Sequence, residues 1–300
     1  MKLDTTSHQG RDDKPAVIFI HGLGMDKDIW VNPCSSRILG GLFPLKILIS
    51  RNEEEQQPEN IQTLFDDLRL RDYSVITWSQ KKPAGPIDSA VPELKEIVRT
   101  ARKMTESGII LIGHSRGGLI ARKYMTEEDS SIMGFITIST PHHGSSIAGI
   151  VKYLAPLVTV IDPFFPTGEK GSLSFAVKRI SEFLKSRSLK ELLPGSDFFT
   201  SLHDKPLDGV YYVSLGGTNP TLFSIYDFSF PDVLERVMPE NFYPEEMKKN
   251  RGDGLVSAES SRMPWSHEHY NFAFNHAEIL FDKDVRNILC DIIGRIAENL

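Results

Sequence analysis

An α/β protein with a mostly parallel central sheet flanked by helices is the fold class that this sequence predicts, and three observations predict it. Short apolar runs at residues 16–20 and 109–112, and a mostly apolar one at 134–138, alternate with longer segments of helical periodicity. Strands that read as continuous apolar runs are buried on both faces, and alternation with helices implies right-handed crossovers between parallel strands. The run Ile109-Ile110-Leu111-Ile112 leads through Gly113-His114-Ser115-Arg116-Gly117-Gly118 into a pattern where Ile120 with Tyr124, and Ala121 with Met125, share faces. A strand therefore turns sharply into a helix, and a serine sits at the turn. Finally, 300 residues at 40% hydrophobic content suit one large domain with insertions, or two small ones.

Taken in order, residues 1–14 are polar and hold no apolar stretch of signal-peptide length. No later run is long enough to span a bilayer, so a cytoplasmic protein without a transmembrane segment is the expectation, secretion staying open if a leader has been trimmed. The strand at 16–20 is followed by His21-Gly22-Leu23-Gly24, whose glycines let the backbone approach a substrate oxygen closely. Residues 26–60 carry the least pattern. Gly40 to Pro44 break them, 45–49 reads as a short strand, and 53–57 is a solvated charge run. Ile61, Leu64, Phe65 and Leu68 share one face of a helix over 61–70. A strand at 73–78 and a helix over 91–104 then lead to the serine-bearing strand.

The strand at 134–138 ends in Ser139-Thr140-Pro141-His142-His143-Gly144-Ser145. Both histidines come too early for a general base, because a serine on such an elbow is followed by its acid and then its base. His142 is expected to line the pocket instead. Residues 146–205 then change character. Leu154, Leu157, Val158, Val160, Ile161, Phe164 and Phe165 crowd one short run, 173–184 reads as an amphipathic helix, and a Pro194-Gly195-Ser196 turn follows. So much apolar surface must pack on something, and a cap over the serine is the expectation.

The sheet resumes at 210–215. In Arg251-Gly252-Asp253-Gly254-Leu255-Val256, an aspartate between two glycines suits a tight turn that presents a carboxylate. Asp253 is the best acid, with Asp227 and Asp232 as runners-up. His267 and His269 read as part of a polar, tryptophan-bearing loop. His276, in Asn275-His276-Ala277-Glu278, stands before a closing helix over 285–296, where the base belongs. A net charge of −6 and a pI near 5.9, with no basic face, argue against nucleic acid as a partner. The two cysteines, Cys34 and Cys290, are expected as buried thiols.

In this order the His21 to Gly24 loop, the serine elbow, the 140–145 loop, the Pro194 turn, the Gly-Asp-Gly turn and Asn275-His276 resemble the α/β-hydrolase lipases. The chain is similar to the bacterial true lipases and to the GPI inositol-deacylase-like group, over most of its length from Val17 onward. The resemblance implies the α/β-hydrolase fold with an inserted helical cap or lid. The core would be 1–145 with 206–300, and the cap 146–205. It implies Ser115 as nucleophile, Asp253 as acid and His276 as base, with the backbone N–H groups of Leu23 and Arg116 as oxyanion hole. His21, Gly22, His114 and His142 would surround the substrate pocket. The implied activity is that of a serine carboxylic-ester hydrolase, a lipase or esterase on lipid-like acyl esters, with transient contact to a lipid interface through 146–205.

A serine acyltransferase or amidase would share these residues, whereas a non-catalytic binding protein would have no need of all three. Dehalogenase and epoxide-hydrolase chemistry would want a carboxylate at the elbow. No cofactor is expected. The bacterial lipases hold a structural calcium partly through an aspartate two residues after the base; here that position is Glu278, and no metal ligands are assigned.

Overall fold

The computed structural model describes residues 2–38, 43–44, 61–149, 187–225, 228–230, 235 and 243–298. Its apolar runs sit in the middle of one seven-stranded sheet. The strands are β1 (Asp4–His8), β2 (Ala16–Ile20), β3 (Ser74–Ser79), β4 (Ile109–His114), β5 (Ile132–Ile138), β6 (Tyr211–Gly217) and β7 (Glu268–Phe272). Their order in space is β1-β3-β2-β4-β5-β6-β7. Every pairing is parallel except that of β1 with β3, which is antiparallel.

Successive side chains along a strand face opposite ways, so each central strand feeds two cores. Val17, Phe19, Ile110, Ile112 and Ile136 pack on one face with α1 (Leu64–Leu70) and α4 (Lys283–Glu298). Ala16, Ile18, Ile20, Leu111 and Phe135 pack on the other with α2 (Ile87–Ala101) and α3 (Arg116–Met125). Helices thus cover both faces, and the carboxyl ends of β2, β4, β5 and β6 open onto a common edge. Thr63 caps α1 by accepting from the Asp66 N–H at 3.2 Å, which is why that helix starts later than its apolar face suggests.

Two strands differ from the sequence reading. Asp4–His8 has no large apolar residue, yet it pairs along β3 at the edge of the sheet, held by backbone bonds. The stretch read as a polar loop around His267 and His269 contains β7, at the opposite edge. Edge strands need only one buried face, and neither carries an apolar run.

The 45–49 strand, the 53–57 charge run, the apolar run from Leu154 to Phe165, the 173–184 helix, Asp227 and Asp232 lie outside the described residues. The described returning limb of the 146–205 segment begins at a short helix, Arg187–Glu191. Leu189, Leu192, Phe198 and Leu202 join the core on the α2 and α3 side. Asp204 closes this limb with a buried ion pair to Arg122 of α3, at 2.7 and 3.0 Å. Among the described residues no helix is long and apolar enough to cross a membrane. Cys34 and Cys290 are not joined in a disulfide; Cys290 is buried, which pushes its thiol up to about 11, and Cys34 is half-buried.

Candidate active site

Ser115 occupies the turn between β4 and α3 with φ 54° and ψ −128°, a backbone conformation that is costly for any residue with a side chain. The glycines around it are sterically required. A Cβ on Gly117 would lie 2.3 Å from the Ile20 carbonyl oxygen, and one on Gly118 would lie 2.1 Å from Thr140 Oγ1. The Ser115 N–H donates to the Ile138 carbonyl at 2.9 Å, tying the elbow to the end of β5.

The Gly-Asp-Gly turn presents Asp253 from the loop after β6. This carboxylate is fully buried. Its Oδ1 accepts from the N–H groups of Leu255 (3.0 Å) and Val256 (2.7 Å), and its Oδ2 faces His276 Nδ1 at 2.9 Å. A carboxylate only accepts, so Nδ1 carries the imidazole proton and Nε2 is left with a lone pair. Asn275 shapes the turn beneath the ring. Its Oδ1 accepts from the N–H groups of Ala277 and Glu278, both at 2.9 Å, and its Nδ2 donates to the Thr221 carbonyl at 2.9 Å. The sequence signal for this is the Asx residue itself, whose side chain commonly accepts from the N–H groups two and three positions on.

His114 packs beside His276, with ring centroids 4.8 Å apart, and its Nε2 donates to the His276 carbonyl at 2.9 Å. Burial, with the neighbouring His276 next in weight, holds His114 well below the usual histidine range, so the ring is neutral. The Ser115 hydroxyl and His276 are not hydrogen-bonded to each other. In serine hydrolases that bond often tightens only when substrate binds.

The loop after β2 reaches the serine as well. A Cβ on Gly22 would lie 3.0 Å from Ser115 Cβ, so the close approach depends on glycine. Among the described residues, neither the Leu23 N–H nor the Arg116 N–H donates to a backbone carbonyl; Arg116 opens α3, where the first N–H groups have no intrahelical partner. The Arg116 side chain is enclosed, and burial lowers its pKa to about 10. His21 is likewise enclosed, with its pKa lowered to about 4 by burial.

The remaining histidines stand apart from this cluster. His142, expected at the pocket, is 2% exposed and turned inward. Its Nε2 meets Thr137 Oγ1 at 3.0 Å, and Arg122 Nη1 donates to its carbonyl at 2.9 Å and approaches its Nδ1 at 3.3 Å. His143 is exposed. His267 accepts from the Tyr212 N–H through Nδ1, and His269 Nδ1 lies 2.8 Å from Ser214 Oγ, so both brace β6 against β7. Glu278 accepts from the Asn275 N–H at 3.2 Å. Among the described residues, no group of three or more His, Cys, Asp or Glu could hold a metal ion.

Residues 79–162 match the PGAP1-like alpha/beta domain family. No curated protein matches the sequence. The propeptide form of a Bacillus licheniformis lipase superposes with a TM-score of 0.62 at 15% identity, over 96% of this chain and 53% of that one. This chain therefore spans about half the length of that form. The mature form gives a TM-score of 0.55 at 15% identity, over 96% of this chain and 97% of that one. A metagenomic carboxyl esterase gives 0.54 at 13% identity, over 97% of this chain and 77% of that one. Identities this low speak for the fold, and joined to the strand order and the strained serine elbow they make this chain an α/β-hydrolase-fold protein.

Proposed function

We propose that the protein is a serine carboxylic-ester hydrolase with Ser115 as nucleophile, His276 as general base and Asp253 as the group that orients it. The observation that carries this reading is the 2.9 Å bond between Asp253 Oδ2 and His276 Nδ1, made beside the serine elbow. A serine hydroxyl is a poor nucleophile until a neighbouring base takes its proton. With Nδ1 committed to Asp253, the lone pair on Nε2 takes that role. Ser115 Oγ bonds to the ester carbonyl carbon, its proton passes to His276 Nε2, and the carbonyl electron pair moves onto oxygen. The Leu23 and Arg116 N–H groups receive this oxyanion, each contributing about 3 kcal/mol to lowering the barrier. As the tetrahedral centre collapses, the bond to the leaving oxygen breaks and His276 protonates the departing alcohol. Water, deprotonated by the same imidazole, then cleaves the acyl-serine.

A lipid-like acyl chain is the substrate we favour. The apolar composition of residues 146–205 supports it, as does likeness to a protein described as a lipase. An acyltransferase or amidase would use the same groups and differ in what resolves the acyl-serine.

The test pairs Ser115→Ala with p-nitrophenyl esters from acetate to palmitate, in water and with added alcohol. Hydrolysis and fluorophosphonate labelling should both vanish in the variant; labelling that persists would remove Ser115 as nucleophile. Longer esters should be preferred, with a rise in rate once substrate passes its solubility limit. Smooth saturation with acetate as the best substrate would leave an esterase and remove the lipid interface.

A further inference from the structure

The two N–H groups assigned to the oxyanion hole leave neighbouring strands on separate loops, Leu23 after β2 and Arg116 after β4. A donor displaced by a fraction of an ångström loses much of its effect on a developing charge, so their relative placement has to be fixed by something. Gln80, the first residue after β3, reaches both loops and is only 4% exposed. Its backbone N–H donates to His21 Nε2 at 3.0 Å, and its side-chain Nε2 donates to the His21 carbonyl at 3.0 Å. Its Oε1 accepts from Arg116 Nη1 at 2.7 Å, while Arg116 Nη2 donates to the Gly85 carbonyl at 2.6 Å.

His21 passes the first of these bonds forward. Because Nε2 accepts, the ring proton sits on Nδ1, which donates to the Gly22 carbonyl at 3.0 Å. That carbonyl and the Leu23 N–H belong to one planar trans peptide and point in opposite directions. A grip on the carbonyl therefore aims the Leu23 N–H away from the His21 ring.

Resting on the ester-hydrolase reading, we infer that Gln80 is a positioning residue that fixes the two oxyanion donors relative to each other. A side-chain amide suits this place because its ends have opposite polarity, an acceptor toward the guanidinium and a donor toward the His21 carbonyl. A carboxylate would turn an acceptor toward that carbonyl. An apolar side chain of the same length would serve neither partner. The buried His21 ring stays neutral across the neutral range, so its grip on Gly22 does not depend on pH there.

Gln80→Met and Gln80→Glu test this through kcat, KM, affinity for an aryl trifluoromethyl ketone that forms an oxyanion on Ser115, and the backbone amide resonances of Leu23 and Arg116. Gln80→Met is expected to lower kcat by about ten-fold or more with KM within about two-fold, and to weaken ketone binding by the same factor as kcat. Both resonances should move. Gln80→Glu keeps the Arg116 contact and the backbone bond to the His21 ring but loses the side-chain bond to the His21 carbonyl, so the Leu23 resonance should move and that of Arg116 stay. A folded Gln80→Met protein with kcat, ketone affinity and both resonances as in the wild type overturns the inference. If Gln80→Met fails to fold, Gln80→Glu decides, and wild-type kcat with an unmoved Leu23 resonance overturns it. The resonances are read without substrate. A wild type that hydrolyses no ester would therefore defeat the ester-hydrolase reading, while the amide shifts still decide the role of Gln80.

Discussion

Asp253 and His276 are joined twice, once through side chains and once through backbone. Nδ1 donates to Oδ2 at 2.9 Å, and the His276 N–H donates to the Asp253 carbonyl at 3.0 Å. The backbone bond holds the two turns in register, so the side-chain bond does not have to. In Asp253→Asn, Oδ1 keeps its two N–H donors and turns the amide NH2 toward Nδ1. That forces the imidazole proton onto Nε2, the wrong tautomer for a base. The variant should keep its melting temperature within a few degrees and lose kcat by about 10⁴-fold. A kcat within ten-fold of the wild type would remove Asp253 as the orienting group.

Ser115 carries its side chain at a backbone conformation suited to glycine. Relief of that strain, less the extra chain entropy of glycine, should make Ser115→Gly more stable than Ser115→Ala by about 1 kcal/mol. In a domain of this size that is about 2 °C in Tm, readable by calorimetry. Both variants should be inactive. Equal melting temperatures would mean that the strain relieved is no larger than the chain-entropy cost of glycine, about 0.5–1 kcal/mol.

Acid should unfold the protein early. His21 is held at about 4, and His114 and His142 well below the usual value, in each case chiefly by burial. Below about pH 6.5 the unfolded chain therefore takes up protons that the folded chain refuses. Stability is full above that pH and falls as pH drops toward 4. Each such group steepens the fall by about 1.4 kcal/mol per pH unit. Urea midpoints measured from pH 7 to 4 should show it, and His21→Asn should flatten the curve by one group's share. A midpoint independent of pH over this window would contradict the buried, neutral state of these rings.

The Arg122 and Asp204 side chains are 7% and 8% exposed. Asp204→Ala would strand a buried guanidinium and should cost about 3–5 kcal/mol in denaturant unfolding. Replacing both residues with apolar ones of similar volume should recover most of the loss. A single-variant cost below about 1 kcal/mol would show that water reaches Arg122.

The central strands and the elbow were legible because both of their signals are steric. Ile109 to Ile112 are buried on both faces and so leave no polar position, and Gly117 and Gly118 stand where any Cβ would collide. The pairing of Asp253 with His276 was legible through turn chemistry and chain order. Asp4–His8 and Glu268–Phe272 were not, because an edge strand is held by backbone bonds that leave little mark on composition. His142 was expected to line the pocket from its place after β5; its bond from Arg122, twenty residues earlier on α3, carried no sequence signal. Gln80 carried no signal at all. Its meaning comes from the ends of β2, β3 and β4 meeting in space, which no local pattern records.

The bond from His114 to the His276 carbonyl spans 162 positions of sequence. A ribosome therefore finishes the serine long before it makes the imidazole that would activate it. In a nascent chain, or one cleaved before residue 276, Ser115 has an elbow and lacks the imidazole proposed as its base. Parallel strands gathered from distant segments are also slow to pair. On the ester-hydrolase reading, cleavage should thus appear only after the last strand and the turn beyond it have docked, which would keep half-made copies chemically silent and make the onset of activity a clock for the completion of folding.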